Sequence, residues 1–254
     1  MAMKTINDFF IPENKVEDVS EDSYKQIVPV LINSVEAVAR LTYQSIYVID
    51  YFKKNFLYVS DNLFFLCGLQ PDEVREMGFS FYFNLVPKDE MNMLLEINRA
   101  GFSFYNEFSI EERLKLFITY DFHVCEKDHK ILINHKLTPI LLAENGHIWL
   151  AVCVVSLSSN QEKGNVEAHL GRRLDYWTYS LESHQWQKED SIVLTGREKE
   201  VLLYSAQGFT EEKMAKKMNL APMTIKFHKQ TMFNKMNVNN ITAAIATASH
   251  KKMI

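Results

Sequence analysis

The last quarter of the chain contains signals that begin and end four short helices, and no other feature constrains the fold as strongly. Thr195 and Glu198 have the spacing of a capping box, in which each side chain binds a free backbone N–H at the start of a helix. Thr210 is suited to cap a second helix. Pro222 is suited to begin a third, because backbone N–H groups in the first turn of a helix have no partner within the helix, so proline loses nothing by lacking one. Residues 241–249, ITAAIATAS, are predicted to form a fourth helix.

The ends of these helices and the turn between the second and third are also readable. Gly208 and Asn237 are suited to the left-handed conformation that ends many helices, and residues 219–220 make a tight turn. Two short helices joined by such a turn predict a helix-turn-helix. The third helix is predicted to bury Ile225, Met232 and Met236 and to expose a polar and basic face. A helix with such a face fits the major groove of DNA, where base edges can be read.

Charge divides the chain in the same place. Residues 191–254 contain ten Lys or Arg and four Asp or Glu, a net charge of +6, whereas the remainder contains 18 and 28, a net charge of −10. A basic tail on an acidic body predicts a polyanionic partner for the tail alone.

The residues of this tail resemble a known family. LTGREKEVLLYSAQGFTEEKMAKKMNLAPMTIKFHKQTMFNKMNV (194–238) is similar to the LuxR-type, or GerE-like, helix-turn-helix in its LT-x-RE-x-EVL, A-x-G, P-x-T-I-K-x-H and closing K-M motifs. The sequence departs from the family pattern at two positions. Ala221 stands where the family has a capping Ser or Thr, and Gly196 stands where it has a Pro or a larger residue. Gln230 is neutral at a position where some relatives have a basic residue.

The resemblance implies a role for each residue of the third and fourth helices. It implies contact with bases by Lys226, Phe227 and Gln230. It implies contact with phosphates by Thr224, His228, Lys229, Thr231 and Lys235. It also implies dimerisation through the fourth helix, at Ile241, Ala244, Ile245 and Ala248.

The front of the chain changes from a helical to a strand period at residue 45. Tyr24, Ile27, Val28, Leu31, Val35 and Val38 predict one apolar face on a helix over 22–40. Three later strands include HIWLAVCVVS, which is apolar on both faces, so its outer face needs a cover: either the 22–40 helix or a second subunit. Segments 158–165, 174–181 and 185–188 are predicted to form a linker followed by a hairpin.

The order of these elements resembles a PAS domain over residues 45–157. The matching pieces are YVSDNLFFLCGLQPDEV, LVPKDE and ENGHIWLAVCVVSLS. The resemblance implies a five-stranded antiparallel sheet that holds a pocket against helices and that binds a small molecule or dimerises. The whole chain resembles the PAS–LuxR regulators of Bacteroidetes-type bacteria.

The expected fold class is therefore α+β, with four segments. Residues 1–44 form an N-terminal extension with an amphipathic helix, and 45–157 the PAS-like domain. Residues 158–190 form the linker with its hairpin, and 191–254 a four-helix LuxR-type domain.

The expected function is that of a dimeric transcription regulator rather than an enzyme, because the sequence lacks a phosphate-binding glycine loop, a nucleophile elbow and HExxH. The expected partners are double-stranded DNA, a second copy of the chain and RNA polymerase, in the cytoplasm and without a membrane. Two alternatives remain: a response regulator phosphorylated at Asp50, and a small-molecule-binding protein with an accessory DNA-binding tail. Asp50 ends a strand-like run, but the acidic pair and alternating helices of a receiver domain are missing.

No cofactor is evident, and a ligand of the PAS-like domain is unidentified. A zinc site at His123, Cys125, His129 and His135 is rejected, because strand alternation puts the first two and the last on opposite faces. His135 on an apolar face is conceivable as a haem ligand, but a packed core histidine is far more common. Three scattered cysteines and the lack of a long apolar run favour a reducing, non-membrane location.

Overall fold

The computed structural model describes residues 5–126, 129–171, 175–251 and 253. The chain forms two compact units, Met1–Glu189 and Asp190–Ile254. None of the described helices combines the length and the apolar character needed to cross a bilayer.

Eight strands in the described part of the first unit form an antiparallel sheet. In chain order they are β1 (Ser45–Asp50), β2 (Asn55–Val59), β3 (Leu116–Glu126), β4 (His129–Leu142), β5 (Ile148–Leu157), β6 (Gly164–Leu170), β7 (Tyr176–Ser180) and β8 (Gln185–Glu189). Their order across the sheet is β2-β1-β5-β4-β3-β6-β7-β8. The expectation of five strands was wrong, because three further strands continue the sheet beyond β3.

The added strands come from the segment 158–190, which was expected to be a linker with a hairpin. β7 and β8 form a hairpin, with Tyr179 opposite Trp186; residue 174, its predicted start, lies outside the described residues. β6 pairs with β3 from Leu116 opposite Leu170 onward. Without β6, the backbone N–H and C=O groups along that edge of β3 would lack strand partners.

A buried carboxylate fixes the loop that leads into β6. Asp121 on β3 is fully buried, and its Oδ2 accepts hydrogen bonds from Asn160 Nδ2 at 2.6 Å and Asn165 Nδ2 at 3.0 Å. Burial raises the pKa of Asp121, while the amide donors around it act in the opposite direction. These hydrogen bonds attach the polar segment 158–165, which was predicted to be a linker, to β3.

The described part of the first unit contains two short 3-10 helices, Ile6–Phe9 and Pro12–Asn14, and seven α-helices. The α-helices are α1 (Glu21–Gln26), α2 (Val28–Ala39), α3 (Leu63–Leu66), α4 (Pro71–Met77), α5 (Ser80–Leu85), α6 (Lys88–Asn106) and α7 (Ile110–Arg113). One face of the sheet packs with α3 to α6 around an aromatic core that includes Tyr47, Phe65 and Phe81. The opposite face packs Val48 and Trp149 against α1 and α2. The N-terminal helix is therefore a cover of the doubly apolar strand, one of the two covers considered above.

The second unit is a four-helix domain with the capping residues that the sequence predicts. Its helices are α8 (Gly196–Ala206), α9 (Glu211–Met218), α10 (Pro222–Met236) and α11 (Ile241–His250). Thr195 and Thr210 each accept a hydrogen bond from the backbone N–H three residues later. Gly208 and Asn237 have φ of 77° and 52°, the left-handed conformation expected at helix ends.

Candidate nucleic-acid interface

The turn between α9 and α10 sets the direction of α10. Asn219 adopts the left-handed conformation, and its backbone N–H caps Ala215 O. A small core of Val201, Met214, Met218 and Ile225 then holds α8, α9 and the start of α10 together. Since α10 contributes Ile225, Met232 and Met236 to the interior, its remaining sides face outward.

The outward surface of α10 presents both apolar and polar side chains. Met223 is 74% exposed and Phe227 is 66% exposed, although both are large and apolar. Lys226 and Gln230 are exposed beside them, and Gln230 Nε2 donates to Asn234 Oδ1 at 3.1 Å. The three residues expected to contact bases, Lys226, Phe227 and Gln230, therefore share an accessible surface.

The residues expected to contact phosphates make contacts within the protein that the sequence did not predict. Lys229 is 19% exposed, and its Nζ lies 3.1 Å from Glu211 Oε1 on α9. The Thr231 hydroxyl donates to Phe227 O at 3.0 Å. Thr224 and His228 are half-buried. Phosphate contact by Lys229 therefore requires its ammonium to share or leave Glu211.

Lys235 is held by the start of α8. Its Nζ lies 2.8 Å from Glu198 Oε2 and 3.3 Å from Val193 O. Glu198 is 3% exposed and also accepts from the Thr195 N–H at 2.7 Å. Burial acts to raise the pKa of Glu198, but the bonds from Lys235 and Thr195 outweigh it and hold that pKa below its usual value. The geometry thus gives Lys235 a structural role, joining the end of α10 to the capping box.

The fourth helix divides the residues expected at a dimer interface. Ala244 and Ala248 are fully buried in the core of their own unit with Leu202 and Met232, so in this conformation they have no surface for a partner. Ile241 and Ile245 are partly exposed. Sequence reasoning could not separate the two pairs, because all four residues are small or apolar at helical spacing.

Asp50 in the first unit is the last residue of β1, and its side chain binds the turn that follows. Its Oδ2 accepts from the Tyr24 hydroxyl at 2.6 Å, and its Oδ1 accepts from the N–H groups of Phe52 and Lys53, each at 3.0 Å. The residue is 1% exposed. Its surrounding strands are antiparallel rather than parallel. A buried carboxylate with three hydrogen bonds does not fit a phosphoryl acceptor.

The aromatic core contains a chain of polar groups that the sequence did not predict. The Tyr47 hydroxyl pairs with His135 Nε2 and lies 2.5 Å from the Tyr82 hydroxyl. His135 is buried, and burial lowers its pKa to about 3. A neighbouring cavity lined by Tyr51, Phe102 and other residues has a volume of about 30 Å³, which is room for a water molecule rather than for a ligand.

Two of the residues rejected above as zinc ligands have different surroundings. His123 Nδ1 pairs with Glu90 Oε1 at 2.8 Å, whereas His135 lies among Tyr47, Tyr120 and Phe122. Within the described parts of the chain, no group of three or more His, Cys, Asp or Glu side chains is placed to hold a metal ion.

Comparison with known proteins identifies the second unit. Residues 192–248 match the model of the family described as bacterial regulatory proteins, luxR family, so this segment is a LuxR-family helix-turn-helix domain. None of the curated proteins compared matches the chain.

Solved structures similar to this chain have TM-scores of 0.29 to 0.33. The phage VqmA–DPO complex is 14% identical, with 91% of this chain and 89% of that chain covered and a TM-score of 0.29. The Vibrio cholerae VqmA dimer without target DNA is 15% identical, with coverages of 85% and 86% and a TM-score of 0.30. The N-terminal domain of a Marinobacter aquaeolei diguanylate cyclase with a PAS/PAC sensor is 10% identical, with coverages of 45% and 94% and a TM-score of 0.33.

Proposed function

We propose that the chain is a dimeric, sequence-specific DNA-binding transcription regulator in which α10 enters the major groove. The observation that carries the proposal is the outward surface of α10, where Lys226, Phe227 and Gln230 are exposed together on a helix-turn-helix. The family match to residues 192–248 and the net charge of +6 on residues 191–254 support it.

The accessible side chains suit the reading of base edges. A glutamine can pair with adenine, a lysine with guanine, and a phenylalanine can contact the methyl group of thymine. The net charge of +6 on residues 191–254 supplies attraction to phosphates, which is independent of sequence. Together these provide a specific and a non-specific component of binding.

We propose that the first unit serves as the dimerisation platform of the regulator. The cavity beside its aromatic core has the volume of about one water, and large side chains fill the interior around it. A two-fold pair of chains would place two α10 helices on half-sites about one DNA turn apart, roughly 34 Å.

The proposal is tested by selecting duplexes from genomic fragments and measuring their affinity at several salt concentrations. Binding through several phosphates gives a steep, linear fall of log K with log salt. Gln230→Ala should relax base preference at one position of each half-site, whereas Gln207→Ala, an exposed glutamine at the end of α8, should leave preference unchanged. Failure to bind any fragment at low salt would overturn the proposal.

The role of Phe227 is tested by replacing each thymine of the selected site with uracil, which lacks only the methyl group. Loss of one buried methyl contact should weaken wild-type binding by about fourfold at the contacted position. Phe227→Ala should bind the thymine and uracil duplexes equally. Equal sensitivity of wild type and variant to that replacement would exclude this contact.

A further inference from the structure

The N-terminal helix has two apolar faces rather than the single face that the sequence pattern suggested. Val28, Leu31 and Val35 pack against the sheet. Four other apolar side chains point away from it: Ile27, Val30, Val38 and Leu41 are 43%, 66%, 53% and 86% exposed. A contiguous apolar face exposed to water requires an explanation, whereas scattered apolar residues do not.

These residues lie along one side of a nearly continuous helix. Ile27, between α1 and α2, has helical backbone angles; its N–H donates to Ser23 O at 3.0 Å and its carbonyl accepts from the Leu31 N–H at 3.1 Å. Beyond the end of α2, the Leu41 N–H donates to Val38 O at 3.0 Å. With Ser34 between them, the positions are spaced by three, four, four and three residues, which keeps them on one helix face. We call Ile27, Val30, Ser34, Val38 and Leu41 the outer stripe.

The outer stripe is symmetric about Ser34. Val30 and Val38 lie four residues on either side of it, and Ile27 and Leu41 lie seven residues on either side. We propose that the outer stripe docks on the outer stripe of a second copy of the chain, antiparallel, with the two-fold axis at Ser34. Each valine then faces the other valine of the partner, and Ile27 faces Leu41 of the partner, as a two-fold interface requires.

The chemistry of the outer stripe suits contact with an identical surface. None of its five side chains is charged, so two copies meet without like-charge repulsion. The Ser34 hydroxyl donates to Val30 O at 2.9 Å, so the centre of the interface leaves no unsatisfied donor. The nearby Glu36–Arg40 ion pair, 2.9 Å long, is outside the stripe.

The outer stripe is large enough to form part of a dimer interface, but not all of one. Four side chains of this kind present on the order of 400 Å² of apolar surface per copy, within the range of functional patches. A standard interface buries roughly 800 Å² per partner, so the stripe supplies about half. The inference deepens the proposed function, which needs a second copy of the chain without identifying the surface that binds it.

The first test uses a cysteine at the axis of the full-length protein. Helices packed about 8–10 Å apart, with Cα atoms about 2.3 Å from each axis, leave facing Cα atoms about 3.5–5.5 Å apart, which a disulfide can bridge. Ser34→Cys should therefore give mostly cross-linked dimer on mild oxidation. Glu36→Cys, on the other side of the same helix, should stay at the level of wild type, whose own cysteines Cys67, Cys125 and Cys153 set the background.

The second test uses charge and distinguishes antiparallel from parallel pairing. Val30→Glu should weaken the dimer by about 100-fold in sedimentation equilibrium, because a carboxylate is then buried against Val38 of the partner subunit. The double variant Val30→Glu/Val38→Lys should restore the dimer, since opposite charges face each other across an antiparallel pair. In a parallel pair like charges would face each other, and the double variant would be weaker still.

The outcomes separate this inference from the proposed function. Cross-linking and sedimentation are measured without DNA, so a chain that dimerises through the stripe but binds no DNA overturns only the proposed function. A wild-type monomer would overturn the inference. Equal cross-linking of Ser34→Cys and Glu36→Cys, or an undisturbed dimer of Val30→Glu, would overturn it as well.

Discussion

His135 is a polar side chain buried in the aromatic core of the first unit. The ring lies 4.7 Å from the ring of Tyr120 and accepts or donates one hydrogen bond, with Tyr47. No partner of its Nδ1 is found among the described residues. A protonated imidazole here would be a buried charge without an anion, so burial lowers the pKa of His135 to about 3.

That pKa predicts a loss of stability of the first unit in mild acid. The unfolded chain takes up a proton on this histidine near pH 6.5 and the folded chain does not, so stability is complete above that pH and falls as the pH drops. With a folded pKa of about 3, the loss between pH 8 and pH 5 is about 2 kcal/mol from this group. Urea unfolding followed by tryptophan fluorescence reports it, because all three tryptophans, Trp149, Trp177 and Trp186, precede residue 190.

His135→Gln separates this effect from the titration of other groups. The amide can still bond the Tyr47 hydroxyl but cannot take up a proton in this range. The variant should therefore be less stable than wild type at pH 8 and lose about 2 kcal/mol less between pH 8 and pH 5. Parallel pH profiles of the two proteins would show that His135 is not neutral in the folded state.

At the scale of the element, the second unit is predictable from sequence because its signals are local. A threonine that caps the N–H three residues later, or a glycine that ends a helix, acts within one turn of chain. The capping residues Thr195 and Thr210 and the helix ends at Gly208 and Asn237 consequently lie where the sequence puts them. The exposed surface of α10, which we propose contacts bases, follows from the same helix period.

The remaining features depend on contacts between distant parts of the chain. β6 pairs with β3 across about fifty residues, and Lys235 meets Glu198 across 37 residues. Nothing in the polar segment 158–165 marks its amides as donors to Asp121. The helix period also shows which residues share a face, but not whether a given residue on it is buried or exposed, as Ala244 and Ile27 show.

The pairing of Glu198 with Lys235 predicts the stability of the helical unit. Glu198→Gln keeps an acceptor for the Thr195 N–H but removes the charge that faces the Lys235 ammonium. Since the carboxylate is buried and holds two elements, the variant should lose about 1–3 kcal/mol. Circular dichroism at 222 nm should show an earlier helical transition, while the tryptophan transition of the first unit stays in place.

Glu200→Gln is the matched control on the same helix. Glu200 pairs with Arg197 at 2.9 Å, but the two side chains are about half exposed. An exposed pair of this kind contributes at most about 1 kcal/mol, so this variant should unfold close to wild type. An equal effect of the two substitutions would mean that Glu198 acts as an ordinary surface charge.

At the scale of the whole molecule, the proposed function and the proposed dimer assign different parts of one binding event to the two units. In the proposed function, the LuxR-family domain of each chain places one helix, α10, on one half-site. The outer stripe lies in the other unit, where it can pair two chains without involving α10. A dimer then binds a two-fold site more tightly than a monomer does. Once one domain is bound, the second domain is held near its half-site at a high effective concentration.

This arrangement predicts that dimerisation and DNA affinity are coupled through site geometry. Val30→Glu should weaken binding to a site with two half-sites by about 100-fold, measured where the variant is monomeric. It should leave affinity for a single half-site unchanged, because the residue lies outside the DNA-binding unit. Insertion of five base pairs, half a DNA turn, between half-sites should weaken wild type and not the variant. If Val30→Glu binds the two-fold site as tightly as wild type, the stripe does not pair the chains on DNA, because a monomer gains nothing from the second half-site.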